Sequence, residues 1–215
     1  MNGRTRTLLI CGILAGPLYV VVGLIEIAIR PGFDITRHPL SLMSLGDLGW
    51  IQIANFLVTG SLVIAGAAGM RRAIATGRGR TWGPLLVGVY GLGLVAAAFF
   101  SADPMNGFPP GTPAGMPATI SWHALLHFVS AAIAFFALIA ACFVFARRFA
   151  SERRSGWAAY SVATGIFFFA AFVGNAVGAG SPSLAVAFAI AIVLGWTWIS
   201  AVAARLAGGL VSAEA

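Results

Sequence analysis

The sequence predicts an all-α polytopic membrane protein with six transmembrane helices, on three observations. Of its 215 residues 60% are hydrophobic and only 9% charged, too little polar surface for a soluble domain of this length. Six stretches reach the ~20 mostly apolar residues that a helix needs to cross the hydrocarbon core. The polar residues then sort by side. Eleven of the thirteen basic residues, all arginine, fall on one face: Arg4, Arg6, Arg71, Arg72, Arg78, Arg80, Arg147, Arg148, Arg153, Arg154 and Arg205. All three histidines fall on the other, with Glu26, Asp34, Asp47 and Asp103.

The spans are read at 8–29, 50–70, 82–101, 122–146, 157–178 and 183–204. Little is left over, so 1–215 reads as one domain. Its backbone must be helical in lipid, because each unpaired amide there costs several kcal/mol. The first span follows Arg4 and Arg6 as a signal peptide would. Its apolar run is too long for such a core and lacks a clean small-residue cleavage site, so it reads as a retained helix. Pro17 is expected to kink it. The second and fourth spans open at Trp50 and Trp122 and run to Arg71-Arg72 and Arg147-Arg148. The third and fifth follow short basic loops and open at Trp82 and Trp157, with Pro84 tolerated in a first turn. Two copies of one hairpin, spans 2–3 and 4–5, would explain this parallel, with His127 in the slot of Asn55; Trp and Arg are also expected at interfaces without duplication. Gly12 with Gly16, Gly174 with Gly178, and Gly88, Gly91 and Gly93 are small-residue patterns for close helix packing.

The arginines set the orientation. By the positive-inside rule both termini are cytoplasmic. The net charge of +7 is then a topology signal and excludes the nucleic-acid reading, which needs basic residues gathered on a folded soluble face. Arginine-only basicity and abundant alanine point to a GC-rich bacterium, hence to its cytoplasmic membrane. Cys11 and Cys142 lie within spans and read as buried free thiols.

Two outer loops exceed what connection needs. In residues 30–49, the stretch 39–45 reads as a short helix with Pro39 at its start and Gly46 after its end, placing Ser41 and Ser44 on one face. It is expected to lie in the interface or dip over the bundle. Residues 102–121 hold five prolines, which predicts a semi-rigid strap or lid.

The outer polar residues are the candidate site. His123 and His127 are four apart, so they share one helical face and could share a metal. Asp103, closing the third span, would be a third zinc ligand, with an open position for water. Asp47 and His38 are candidate acid–base residues. The bland alternative is two interfacial histidines bonded to Asp103 or loop carbonyls, with Ser121 capping the fourth helix. Glu26 is an ionisable group inside a span and so a candidate by default; its alternative is a local ion pair with Arg30 at i+4. Asn55 and Asn175 would bond across helices or line a cavity. Asp47 would cap the second span.

The run Arg37-His38-Pro39-Leu40-Ser41-Leu42-Met43-Ser44-Leu45-Gly46, leading to Gly49-Trp50 and Asn55-Phe56, resembles the bacterial membrane family termed domain of unknown function 998. Asp103-Pro104 and His123-x-x-x-His127 fit it too. The resemblance covers essentially the whole chain; it implies a multi-span inner-membrane protein and no defined activity. A looser similarity is to alkaline ceramidases and progestin-type receptors, which gather His, Asp and Ser around zinc near one face. This chain departs from them in having six spans and a different order of His and Ser.

Three function classes follow. One is a metal-dependent hydrolase or transferase acting on a lipid or amphiphile, with zinc on His123, His127 and Asp103. Another is a protein that binds or transports a lipid, ion or small molecule, with Glu26, Ser44, Asn55 and Asn175 extending a polar track. The third is an accessory subunit, or homo-oligomer, that packs its glycine-rich faces on a partner in the bilayer.

Overall fold

The computed structural model describes residues 3–178 and 180–211. Six helices, α1 (Gly3–Ile29), α2 (Gly49–Ala73), α3 (Trp82–Phe99), α4 (Trp122–Ser151), α5 (Ser155–Val177) and α6 (Pro182–Val211), account for most of them, with a short 3-10 helix η1 at Leu40–Ser44. All six long helices are apolar enough to cross a membrane. Among the described residues there is no strand, only an isolated bridge between Met105 and Phe108. The sequence also predicts a tight turn at 179–182 between the fifth and sixth spans, and it lies partly outside the described residues.

Each helix packs on its neighbours in sequence, α6 closes the ring against α1, and α2 touches α6 across the middle. Small residues set how closely they approach, because lipid tails are as apolar as leucine and give helices no hydrophobic reason to pair. A Cβ built on Gly66 would lie 2.6 Å from the Gly12 Cα, so α1 and α2 cross backbone to backbone. On Gly60 it would lie 2.8 Å from the Gly91 carbonyl oxygen, and α2 meets α3 the same way.

The helices overrun the predicted spans mainly at the arginine end. α1 starts at Gly3, α2 continues to Ala73 and α4 to Ser151. Helical hydrogen bonding does not stop where the hydrocarbon stops, so the arginine-bearing turns simply continue it. At the opposite end Ser121 caps α4 as expected, its Oγ accepting from the Ala124 amide at 3.1 Å. Asp47 does not cap α2. Leu48 holds that position, the cap has no side-chain hydrogen bond, and Asp47 is exposed one residue too early. The 39–45 helix is the 3-10 turn η1, with Leu42, Met43 and Ser44 buried. It dips over the bundle against α2.

Candidate functional site

The two long loops lock together into a lid over the end of the bundle away from the arginine-rich loops. His38 is the rivet. Its Nδ1 accepts from the Asp34 amide at 2.9 Å and its Nε2 donates to the Asn106 carbonyl at 2.9 Å, joining the first loop to the second. Arg37 Nη2 donates to the same carbonyl at 2.9 Å. Beneath them Leu42, Ala102, Met105 and Phe108 form a small core of their own, with Phe33 and Leu45 against it. Phe108 meets Phe33 edge to face, with ring centres 5.5 Å apart, and carries the Arg30 guanidinium 5.4 Å above its ring. The proline-rich segment is thus a fixed strap. Asp34 is held in a local turn by Thr36, whose amide and hydroxyl donate to Oδ1 at 2.9 and 2.6 Å; these bonds pull its carboxyl below the usual range.

Under the lid lies a cavity of about 330 Å³ lined by residues of all six helices, among them Tyr19, Phe56, Tyr90, His127, Phe135, Asn175 and Phe188, and roofed by Pro39, Leu40 and Ser41. Trp196 stands beside it, stacked on Tyr19 at 4.5 Å and meeting Tyr90 edge-on at 5.5 Å. A second cavity of about 290 Å³ lies above it, lined by Arg37, His38, Asn106, Met116 and Asn175. The two share Leu40, Phe128, Asn175, Phe188 and Ile192 as a common wall. A third space of about 270 Å³ between α1 and α6 shares Tyr19, Leu40 and Ile192 with the first. The first of these volumes falls in the range of small-molecule sites, roughly 300–1,000 Å³, and the other two lie just below it.

The structure separates the residues proposed from sequence. His127 is buried and lines the central cavity; its Nδ1 donates to the Phe100 carbonyl at 2.8 Å. That bond fixes the tautomer and leaves Nε2 as the lone-pair nitrogen, which has no partner among the described residues. Asn175 lines both cavities with its amide likewise uncommitted. His123 lies against Trp122, ring centres 3.5 Å apart. Asp103 Oδ2 accepts from the Ser121 amide at 2.8 Å, and Ser121's hydroxyl and amide together hold its carboxyl low. Asp47 is exposed beside Arg30, Phe108 and Pro109 at the rim. Ser44 turns back on itself, its Oγ donating to the Ser41 carbonyl at 2.8 Å.

Zinc wants three or four donors, and the residues present do not fit it: among the described residues no three His, Cys, Asp or Glu side chains converge to hold an ion. His127 gives its Nδ1 to a carbonyl, Asp103 gives an oxygen to Ser121, and His123 faces an indole.

Glu26 does not pair with Arg30. Both its carboxylate oxygens are buried without a partner. Arg30 turns away instead, donating to the Leu45 carbonyl and covering Phe108. Asn55 belongs to a seam between α1 and α2 that includes a residue the sequence reading passed over, Gln52. Asn55 Nδ2 donates to Gln52 Oε1 at 3.0 Å and, weakly, to the Tyr19 carbonyl at 3.4 Å. Gln52 was visible as a second amide beside Asn55 in an apolar span. Tyr19 and Tyr90 were visible as tyrosines far from the interfacial belt where tyrosine gathers.

The model of the family described as Protein of unknown function (DUF998) matches residues 13–205. The chain belongs to this family. No curated protein and no solved structure matches it. The DUF998 assignment thus agrees with the resemblance seen in the residues around η1 and leaves the reading of the cavity to its own chemistry.

Proposed function

We propose that this DUF998 protein binds an amphiphile, with the apolar part of the ligand in the central cavity and the polar part under the lid. One observation carries the reading: two adjoining cavities grade from a polar mouth at Arg37, His38 and Asn106 to a mostly aromatic and aliphatic interior whose polar groups among the described residues are Ser41, His127, Asn175 and two tyrosines. That gradient is the shape of a lipid or lipid-like molecule standing at an interface. A few placed polar groups on a largely apolar wall is the common form of small-molecule sites. The lid is assigned to the extracytoplasmic side of a bacterial plasma membrane, because eleven arginines lie at the other end. A metal-dependent hydrolase would need a third ligand beside His123 and His127, and binding asks for nothing that the cavity lacks.

The test is photolabelling. The full chain is reconstituted with a fatty acid carrying a mid-chain diazirine, irradiated, and digested for mass spectrometry. Adducts are expected on cavity residues such as Ala131, Phe135, Phe172 and Phe188. Adducts confined to the outward-facing Leu125, Ile133 and Ile166 would overturn the reading.

A further inference from the structure

We propose that the ligand is an anionic lipid, its charged headgroup held by Arg37 and an acyl chain in the central cavity; this rests on the amphiphile reading above. Arg37 is one of only two arginines at the lid end, and it lines the mouth. A guanidinium has five N–H donors in a planar fork suited to a phosphate or carboxylate. Here the bond from Nη2 to the Asn106 carbonyl uses one of them. That same carbonyl accepts from the buried His38, so the guanidinium is anchored on a rigid point while its remaining donors stay at the mouth. The anchor explains why an exposed arginine keeps a defined place.

Among the described residues no Asp or Glu side chain lines either the mouth or the central cavity. Asp34, in the same loop, lies outside both linings with its Oδ1 bonded to Thr36, and its charge offsets part of that of Arg37. Gly180 and Ala185, which flank the start of α6, also line the mouth, and a helix N-terminus adds positive potential there. A free phosphate could use this potential, but it would leave about 330 Å³ of mostly apolar space beneath it without a purpose.

The structure also supplies a way in. The space between α1 and α6 is lined by Gly23, Leu24, Ile27, Ile190 and Val193 and is parted from the cavity only by the shared side chains of Tyr19, Leu40 and Ile192, which must turn aside to open it. Leu24, Ile190 and Val193 are exposed on the face that meets lipid. A chain can slide sideways through that gap while the headgroup stays at interface depth, so no charge need cross hydrocarbon.

The experiment is native mass spectrometry on the detergent-purified full chain. The probes are phosphatidylglycerol, phosphatidylcholine with the same acyl chains, and inorganic phosphate. Wild type is expected to hold phosphatidylglycerol at least ~10-fold more tightly than phosphatidylcholine, and phosphate not at all. Arg37→Gln, which keeps a donor for Asn106, should bring the two lipids within about twofold, while Arg37→Lys should retain most of the preference. Equal binding of both lipids by wild type, with both lost in Ala131→Phe, would overturn the anionic headgroup and leave the cavity reading standing. Lipid binding that ignores Ala131→Phe would overturn both. Phosphate bound as tightly as phosphatidylglycerol would overturn the lipid assignment.

Discussion

The two ends of this bundle close by different means. At the arginine end helices touch backbone to backbone, at Gly12 with Gly66 and at Gly69 with Leu8, and Gly83 lies flat against the Phe145 ring. Connections are short, and Arg148 ties them together. It donates to the Thr76 and Arg78 carbonyls at 3.2 and 3.0 Å and pairs with Glu152 at 2.7 Å. At the lid end large side chains line a space they do not fill, and closure comes from two loops riveted at His38 and packed on Phe108. In a bilayer nothing pulls apolar helices together except fit, so tightness follows small residues. A cavity survives where bulky residues hold the helices apart and a separate lid keeps the end shut.

Substitutions of similar size at the two ends give the sharpest way to break this contrast. Gly66→Leu forces a side chain into the Gly12 backbone, with no flexible neighbour to give way. Its expected cost exceeds the ~1–3 kcal/mol of ordinary overpacking, enough to lose monodisperse protein on size exclusion in detergent. Ala131→Leu adds its bulk to the cavity wall and should cost less than about 1 kcal/mol in thermal unfolding. A normally folded Gly66→Leu protein would show that the arginine end is not held by close approach.

Glu26 offers a second, smaller test. The i+4 spacing to Arg30 argued for an ion pair, and the lid end removes it by offering Arg30 the Leu45 carbonyl and the Phe108 ring. A buried carboxyl without hydrogen bonds costs stability and the Arg30 charge nearby offsets part of that cost, so Glu26→Leu should raise thermal stability by about 1 kcal/mol. An ion pair would give the opposite sign. An ionisable group inside a span is a functional candidate, and lipid binding by the same variant reads whether Glu26 serves function.

These two residues also show how far the sequence could be read. Spans, the Ser121 cap and the strap-like second loop are local properties, written in apolar runs, proline and capping chemistry, and each stands in the structure. The fate of Arg30 was set by Leu45 and Phe108, which are 15 and 78 positions away, and no periodicity reports such neighbours. The same holds for His123 and His127. Spacing places them on one face of α4, but what that face meets, an indole for one and the Phe100 carbonyl with the cavity for the other, is decided by the packing of other elements. The cavity itself was hidden because apolar helices in lipid carry no amphipathic stripe that points to a centre.

The smallest expected effect separates the two ends by pH. Ser121 holds the Asp103 carboxyl below its ordinary value near ~3.9, and Thr36 does the same for Asp34. A carboxyl depressed in the folded state stabilises that state fully above its unfolded value and loses the contribution as pH falls through the folded one. Both groups are at the lid end. Acidification below about pH 4 should therefore loosen the straps first. Trp122 sits next to the Ser121 cap with its ring against His123, so its fluorescence reports this locally. Subtracting the titration of Asp103→Asn, which cannot ionise, from that of wild type isolates the Asp103 share. A difference confined to the range below pH 4 is expected. A flat difference curve would mean that the bond to Ser121 fixes the start of α4 without contributing to the lid's stability.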